Sequence, residues 1–194
     1  MNKNTKLLDK PSKYMSWVLR HGLTEVGLVC DEEGYVKLSD FLNLSDSKKN
    51  GLDHQTVLQI INQCAKQRFN IKTVNNELFI RANQGHSKNI GELINSDKLL
   101  VKINEPIPGI FHGTYIKHLE SIKKTGLNRM SRQHIHFAKN VNSISGKRSD
   151  CNLIIYINMK EAMLDGIIFF ESANGVILTE GINGIIPVKY LSFS

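Results

Sequence analysis

Three short stretches of the 194-residue chain combine arginine with histidine. Arg20-His21 follows a run of apolar residues at helical spacing, RANQGHS occupies residues 81–87, and RMSRQHIHFA occupies residues 129–138. A guanidinium binds phosphate oxygens through paired hydrogen bonds and stays charged at any working pH, whereas an imidazole can transfer a proton near neutral pH. Of the three stretches, RANQGHS is the one that reads as a polar, glycine-containing loop able to present backbone N–H groups and a guanidinium to a phosphate.

Two further stretches offer groups that suit a nucleotide. HGT, residues 112–114, closes a predicted strand, where the glycine lets a ligand approach the backbone and the other two residues can bond to sugar hydroxyls. SGKR, residues 145–148, is small, basic and flexible, so it suits a pyrophosphate.

Each stretch also has a purely structural explanation. Cations in the last turn of a helix complement the helix dipole, which would account for Arg20 and His21. RANQGHS could be a solvated linker, HGT a tight turn, and SGKR a surface turn. His134 and His136 share one face of a strand, but no nearby acid or cysteine completes a ligand set, so we expect no metal.

Helices dominate the first half of the chain, where the first two stretches lie. Asp9, Pro11 and Ser12 predict a helix start, and Gly22 predicts its end. A second helix is predicted from Asp53, and a hairpin then turns at residues 75–76. Helices followed by a two-stranded hairpin favour a winged-helix module, a fold that often holds nucleic acid.

The second half is predicted to be rich in strands. One helix is expected over residues 116–126, and Asn174-Gly175 predicts a hairpin turn. The predicted strands cover residues 110–112, 134–138, 153–157, 167–170, 176–179 and 185–191. With the polar stretch 87–104 as a linker, the sequence predicts an α+β protein of two domains, residues 1–90 and 100–194.

Composition limits the class of protein and partner. A net charge of +7 and a pI near 9.3 favour an anionic partner such as nucleic acid. No apolar run is long enough to cross a bilayer, and MNKNTKLLDKPSK lacks the apolar segment of a signal peptide, so a cytoplasmic protein without membrane contact is expected. Cys30, Cys64 and Cys151 form no CxxC pair, which predicts free, partly buried thiols. We expect a monomer.

The order of the motifs resembles one known family. LRHGL, DEEGYV, RANQGHS, HGT, RMSRQHIHFA, SGKR and FFESANGVILTEG follow one another as in the RNA 2′-phosphotransferases, also called tRNA 2′-phosphotransferases. The resemblance extends from about Leu7 to Tyr190, and RANQGHS and the HIH strand are its most specific parts. It implies an N-terminal winged-helix lobe for RNA and a C-terminal β-rich lobe of the ADP-ribosyltransferase fold for NAD⁺.

The resemblance also implies roles for individual residues. Matched motif by motif, the family's catalytic set falls on Arg20, His21, Arg81 and Arg132, with Arg129 as the alternative for the last position. The implied contacts to NAD⁺, which serves as co-substrate without any metal, fall on His112, Gly113, Thr114, His136, Ser145 and Arg148.

The implied reaction has two steps. The 2′-phosphate of an RNA displaces nicotinamide from NAD⁺, which leaves ADP-ribosylated RNA. The ribose 2″-hydroxyl then attacks that phosphate, releasing RNA with a 2′-hydroxyl and ADP-ribose 1″,2″-cyclic phosphate. In eukaryotes the family removes the phosphate left by tRNA splicing. The nucleophile is already an anion, which agrees with the apolar strand that begins at Val176 and carries no acid, although Glu171 and Glu180 flank that strand.

Two rival hypotheses remain from the sequence. One is an ADP-ribosyltransferase that modifies nucleic-acid phosphate or protein and stops after the first step. The other is a non-catalytic RNA-binding module, which would explain the basic charge but would leave HGT and SGKR without a role. Loss of phosphate from a 2′-phosphorylated oligonucleotide separates the enzyme from the first rival, and NAD⁺ binding separates it from the second.

Overall fold

The chain divides into two compact units at Leu99–Leu100 in a computed structural model, which describes residues 3–148 and 150–194. Helices and several small sheets occur together, as predicted for the α+β class. No helix in these ranges is long and apolar enough to span a membrane. Cys30, Cys64 and Cys151 are free and partly buried, which confirms the prediction for the thiols.

The first unit contains six helices and one antiparallel sheet in the described part of the chain. Its helices are α1 (Lys3–Trp17), α2 (Leu38–Asn43), α3 (Ser45–Lys49), α4 (His54–Gln63), α5 (Lys88–Gly91) and α6 (Ser96–Leu99). Its strands are β1 (Val36–Lys37), β2 (Phe69–Val74) and β3 (Glu77–Ala82), in the order β1-β3-β2. A π-helical turn, Val18–Gly22, continues α1.

Local sequence signals explain the best-defined elements of the first unit. The Asp53 carboxylate accepts a hydrogen bond from the Thr56 N–H at 2.7 Å and caps α4, as Asp does at helix N-termini. The β2–β3 turn places Asn75 and Asn76 at φ 49° and 62°, the left-handed region that a two-residue hairpin requires. Both predictions are confirmed.

The first helix differs from its prediction. It begins at Lys3, so Pro11 lies inside α1 rather than in its first turn. Proline removes one N–H donor from a helix but does not prevent one where neighbouring packing holds it. Pro11 is buried, and Met15 one turn later is fully buried, so packing overrides the local signal.

The second unit is built from short strands and two helices in its described part. Its helices are α7 (Leu119–Thr125) and α8 (Met159–Leu164), and 3₁₀ turns cover Ile116–His118 and Val188–Tyr190. Its strands are β4 (Val101–Lys102), β5 (Phe111–Thr114), β6 (Leu127–Asn128), β7 (Ile135–Phe137), β8 (Leu153–Ile157), β9 (Phe170–Glu171), β10 (Ile177–Thr179), β11 (Ile185–Ile186) and β12 (Leu191–Phe193).

These strands form small antiparallel sheets in the orders β4-β9-β10-β7, β12-β8-β5 and β11-β6. An isolated bridge between Phe111 and Ala138 brings the end of β7 beside β5. Phe111, Phe137 and Phe169 are fully buried in the core of this unit. The sheet register therefore places HGT on β5 and the second histidine of RMSRQHIHFA on β7 as neighbours.

The stretch 87–104, which was predicted to be a polar linker, instead contains α5, α6 and β4. This stretch contains three buried apolar residues, Ile90, Ile94 and Leu99. Their spacing supplies enough apolar surface for two short helices to pack, although the composition is polar overall.

Candidate functional site

The π-helical turn at the end of α1 carries Arg20 and His21. Val18 and Leu19 of the same turn are buried, whereas Arg20 and His21 are partly exposed. A single π-helical turn within a helix is rare and often occurs at a functional site, because it redirects side chains that a regular α-helix would place elsewhere. The turn fixes the backbone of both residues beside α5 and β3.

RANQGHS is held against that turn. The Ser87 N–H donates to the Arg20 carbonyl oxygen at 2.9 Å. The Ser87 Oγ lies 3.2 Å from the same oxygen and 2.6 Å from Asn89 Oδ1, so its single proton serves one or the other. Gly85 adopts φ +90°, and a Cβ built there would lie 3.5 Å from Cζ and Nε of Arg20. The loop thus packs directly along the Arg20 side chain.

The same loop is largely buried, which excludes the solvated-linker explanation. Asn83 and His86 are 3% and 4% exposed. The side-chain amide of Asn83 donates to the Gln67 carbonyl oxygen at 2.7 Å, and the backbone N–H of Asn83 donates to the Arg68 carbonyl oxygen at 2.9 Å. Buried polar side chains are costly unless they are hydrogen-bonded, so a loop of this kind has a defined conformation.

Arg81 is the penultimate residue of strand β3, and its side chain is 9% exposed. Its Nη1 donates to the Glu33 carbonyl oxygen at 3.1 Å and to Glu33 Oε2 at 3.3 Å. The guanidinium carbon lies 4.5 Å from the centre of the Tyr35 ring. Strand β3 packs against the π-helical turn, so Arg81 belongs to the same region as Arg20 and His21. We call Arg20, His21, Arg81 and residues 83–87 the amino-terminal cluster.

In the second unit, His112 on β5 is bonded to the backbone of β7. Its Nδ1 lies 2.8 Å from the His136 carbonyl oxygen. A carbonyl only accepts, so Nδ1 carries the proton and Nε2 keeps a lone pair. Burial lowers the pKa of His112 from its ordinary value, the bond to His136 opposes this, and the charges of Arg132 and Arg148 lower it further. His112 is therefore a neutral imidazole whose Nε2 can accept a hydrogen bond.

Arg132 and Arg148 lie near enough to act electrostatically on His112 and on each other. Arg132 is exposed at the surface, but the protein atoms around its guanidinium partly desolvate the charge, which lowers its pKa. The positive charge of Arg148 lowers this pKa further. The Arg148 guanidinium carbon also lies 5.3 Å from the centre of the Tyr115 ring. Two neighbouring cations repel each other, so an anion bound between them would be favoured.

Arg129, the alternative to Arg132, is already engaged within the protein. Its Nη1 donates to the Gln133 carbonyl at 3.0 Å and lies 3.9 Å from Glu180 Oε2. Its side chain also crosses Gly184, where a built Cβ would lie 2.7 Å from the Arg129 Nε. Arg129 is thus held by contacts within the protein, whereas Arg132 is exposed.

The glycines of HGT and SGKR are explained by close packing. A Cβ built on Gly113 would lie 2.8 Å from the Cys151 Sγ, and one on Gly146 would lie 2.7 Å from the Phe137 carbonyl oxygen. The SGKR loop therefore rests on the end of β7, and HGT lies inside strand β5 rather than in a tight turn. Thr114 is buried at the end of that strand, whereas Ser145 is partly exposed. We call His112, Thr114, Arg132, His136, Ser145 and Arg148 the carboxy-terminal cluster.

Two residues near these clusters were not assigned a role from the sequence. His134 is 7% exposed, and its Nε2 has no hydrogen-bond partner among the described residues, with Glu180 Oε1 at 3.9 Å. Burial lowers the pKa of His134 to about 4, and the Arg129 charge adds to this effect, so the residue is neutral near pH 7. Glu33 is the other, since it contacts Arg81 across 48 residues of sequence. No sequence periodicity links Glu33 to Arg81.

Within residues 3–148 and 150–194, no group of three or more His, Cys, Asp or Glu side chains is arranged to hold a metal ion. The two clusters instead offer guanidinium groups, a neutral imidazole and hydroxyl-bearing side chains. Such groups bind phosphate and sugar hydroxyls, and they can stabilise charge that develops on a phosphate.

Comparisons with known proteins agree on one family. A family model described as RNA 2′-phosphotransferase, Tpt1 / KptA family, matches residues 6–181. The chain is similar to tRNA 2′-phosphotransferase 1 of Danio rerio, with 38% identity over 98% of this chain and 87% of that protein. The human protein of the same name is 37% identical over 92% of this chain and 72% of its own length. A Schizosaccharomyces pombe relative, also named for tRNA 2′-phosphotransferase, is 40% identical, and the chain spans 49% of its length.

Proposed function

Because this chain belongs to the Tpt1/KptA family of RNA 2′-phosphotransferases, we propose that it removes a 2′-phosphate from RNA and transfers it to the ADP-ribose part of NAD⁺. Apart from membership of this family, the main support for the proposal is the geometry of the amino-terminal cluster. There, the backbone of Arg20 is bonded to the loop that follows Arg81, and strand β3 packs on the turn that bears His21. The backbone that carries Arg20 and His21 therefore lies beside strand β3, which carries Arg81.

The amino-terminal cluster suits the phosphate of the RNA substrate. Arg20 and Arg81 supply paired N–H donors and a charge that does not titrate near neutral pH. In the second step, charge builds on the phosphate as the RNA oxygen departs, and fixed cations stabilise that charge. We assign His21 the proton that the departing 2′-oxygen takes up. Proton transfer of this kind contributes about 10²- to 10⁴-fold to rate.

The carboxy-terminal cluster suits the nucleotide. The fixed Nδ1 proton of His112 leaves Nε2 as an acceptor for a ribose hydroxyl, and Thr114 on the same strand can bond beside it. Arg148 offers a cation to the pyrophosphate, together with Ser145 of the SGKR loop, and the neighbouring Arg132 offers one to the phosphate that reacts. His136 would lie beside the nicotinamide ring, because its backbone is bonded to His112. Gly113 would contact the nucleotide through its backbone, since the space of its missing side chain is taken by Cys151.

NAD⁺ supplies a ribose carbon from which nicotinamide leaves. The RNA 2′-phosphate is already an anion, so no side chain has to deprotonate it. The two glutamates near the apolar strand β10 are engaged elsewhere. Glu171 pairs with Lys139 at 3.0 Å, and Glu180 faces Arg129. This supports a phosphate acceptor, followed by a second step that passes from ADP-ribosylated RNA to ADP-ribose 1″,2″-cyclic phosphate.

The proposal also covers the folds of the two units. In the first, helices α1 to α4 precede the β2–β3 hairpin, an order that suits a winged-helix lobe for RNA. In the second, the small antiparallel sheets around β5, β7 and β10 suit an ADP-ribosyltransferase-like lobe for NAD⁺. A structural similarity search against representatives of both folds tests these assignments.

The decisive experiment uses a short RNA with one internal 2′-phosphate. We expect incubation with the protein and NAD⁺ to yield nicotinamide, RNA lighter by one phosphate, and ADP-ribose cyclic phosphate, all identified by mass. The same RNA without its 2′-phosphate is the control and should stay unchanged. RNA that gains ADP-ribose and keeps it would instead identify an ADP-ribosyltransferase that stops after the first step. Absence of NAD⁺ binding by calorimetry would favour a non-catalytic RNA-binding module.

A further inference from the structure

The acidic turn DEEGYV, residues 31–36, takes no part in the proposed reaction. It begins at Asp31, whose Oδ1 accepts hydrogen bonds from the N–H groups of Glu33 and Tyr35 at 2.9 and 2.8 Å. Gly34 provides φ +81° at its tightest point, and the Gly34 N–H donates to the Asp31 carbonyl. The backbone of Glu33 is therefore fixed by bonds on both sides.

Glu33 of this turn accepts hydrogen bonds from one end of the Arg81 guanidinium. Both acceptors of Nη1 belong to Glu33, namely its carbonyl oxygen at 3.1 Å and its Oε2 at 3.3 Å. The Nε of Arg81 is buried and has no hydrogen-bond partner in the part of the chain that the structure describes. The Glu33 contacts therefore determine how the planar group is rotated, since a guanidinium binds directionally.

Tyr35 and Lys72 complete the arrangement around Glu33. The Tyr35 ring centre lies 4.5 Å from the Arg81 guanidinium carbon and 3.9 Å from the Lys72 ammonium nitrogen. Lys72 bonds to Glu33 Oε1 at 3.2 Å and to Asp31 Oδ2 at 3.0 Å. Each oxygen of the Glu33 carboxylate thus has its own cation, which keeps the carboxylate from rotating away from Arg81.

We propose that Glu33 is a positioning residue, which holds Nη1 of Arg81 so that the rest of the guanidinium faces the 2′-phosphate of RNA. This inference rests on the proposed function. An arginine that must meet a phosphate in a set geometry benefits from a fixed partner on its other end, because a small misplacement of a binding group can lower rate by about a hundredfold.

Glu33 also affects stability, because its own side chain is 40% exposed but that of its partner Arg81 is only 9% exposed. Removal of the carboxylate leaves a largely buried guanidinium without that partner, which is costly. Glu32, the preceding residue, provides a matched control, since it has the same side chain in the same turn but pairs with Lys98. Removal of the Glu33 carboxylate should therefore lower thermal stability more than removal of the exposed Glu32 carboxylate, but only a positioning role would change the preference for phosphorylated RNA.

The test compares Glu33→Ala, Glu33→Gln and Glu32→Ala in two assays. The first measures kcat and KM for phosphate removal with NAD⁺. The second measures, without NAD⁺, the ratio of Kd values for an unphosphorylated RNA and the same RNA with one 2′-phosphate. We expect Glu33→Ala to lower kcat by about 10- to 100-fold with KM for NAD⁺ unchanged. It should also reduce the Kd ratio toward that of Arg81→Ala. Glu33→Gln keeps an oxygen acceptor and should recover part of both losses, and Glu32→Ala should match the wild type.

Several outcomes would overturn the inference. Wild-type kcat and Kd ratio in Glu33→Ala would show that Arg81 needs no such partner. Tighter binding of the phosphorylated RNA would show that Glu33 competes with the phosphate instead of orienting its ligand. If Arg81→Ala left the Kd ratio unchanged, Arg81 would not bind the 2′-phosphate, and Glu33 would have no phosphate ligand to position. Failure of the wild type to release phosphate would reject the proposed function, while the binding assay would still decide the role of Glu33.

Discussion

The Ser87 N–H donates to the Arg20 carbonyl oxygen at 2.9 Å, although the two residues are 67 positions apart in the sequence. Arg20 lies in a π-helical turn, and the carbonyls at the end of a helix lack intrahelical donors. Ser87 supplies one from the end of RANQGHS. The conformation of this loop and the position of Arg20 are therefore coupled, which makes the loop glycine a sensitive point.

Gly85→Ala should impair activity as well as stability. The residue adopts φ +90°, where a Cβ is strained, and its Cβ would contact the Arg20 guanidinium. We expect a loss of about 1–2 kcal/mol in the free energy of unfolding and a several-fold lower kcat, because the loop shifts against Arg20. Chemical denaturation and steady-state turnover measure the two effects.

Gly51→Ala is the control for Gly85→Ala, because it introduces similar backbone strain without a contact to Arg20. Gly51 adopts a similar φ of +72°, but a Cβ there would meet no atom within 4 Å. It should lose comparable stability while keeping wild-type kcat. Equal activity losses in both variants would show that Gly85 affects turnover only through folding.

Arg132→Ala should impair activity, whereas Arg129→Ala should mainly impair stability. Arg132 lies beside Arg148 and His112, whereas Arg129 is bonded to the Gln133 carbonyl and crosses Gly184. Loss of one stabilising donor at a reacting group costs about 10²- to 10³-fold in kcat, which we expect for Arg132→Ala with an unchanged Tm. Arg129→Ala should lower the Tm and keep turnover within a few-fold at low temperature. The reverse pattern would assign the phosphate to Arg129.

Turn chemistry and periodicity predicted the local elements that the structure confirms. The hairpin follows from Asn75-Asn76, and α4 follows from the Asp53 cap and the buried pair Val57 and Ile60. Strand β8 matches its predicted limits, 153–157, because its apolar run is bounded by polar residues. In these cases, neighbours in sequence supply the determining contacts.

Elements that depend on distant contacts were predicted less well. Pro11 indicated a helix start, but the helix begins at Lys3. The polar stretch 87–104 indicated a linker, but Ile90 and Ile94 are buried there. Tertiary packing decides both, and a single sequence does not reveal it.

The same division holds for the candidate site. Motif order located the arginines and histidines, whose roles remain predictions. Their surroundings, such as the Glu33–Arg81 contact and the bond from His112 to the His136 carbonyl, join residues 48 and 24 positions apart. Sequence spacing carries no information about such pairs, so the orientation of Arg81 and the tautomer of His112 required the structure.

His21→Ala should stall the reaction between its two steps. Its imidazole is our candidate for the proton given to the departing RNA oxygen, whereas nicotinamide release needs no such proton. We expect ADP-ribosylated RNA to accumulate and the second step to slow by about 10²- to 10⁴-fold. Denaturing gels and mass spectrometry of a single-turnover reaction measure both. His54→Ala, which changes an exposed histidine on α4, serves as the control. Wild-type release of RNA by His21→Ala would remove this residue from the proton transfer.

His134 should make the protein sensitive to mild acid. Burial lowers its pKa to about 4, whereas the unfolded chain has an ordinary histidine pKa of about 6.5. Between these values the unfolded state binds more protons, so stability is complete above about pH 6.5 and falls as the pH drops toward 4. The shift corresponds to a loss of up to about 3 kcal/mol over that range.

Replacement of His134 by Gln removes the titrating group and should flatten this part of the pH profile, even if the variant is less stable at pH 7. The free energy of unfolding, measured by urea denaturation between pH 4 and 7.5, provides the comparison. His54→Gln should keep the slope of the wild type, because that residue is exposed. An unchanged slope in His134→Gln would show that other groups cause the acid sensitivity and that His134 is not held neutral by burial.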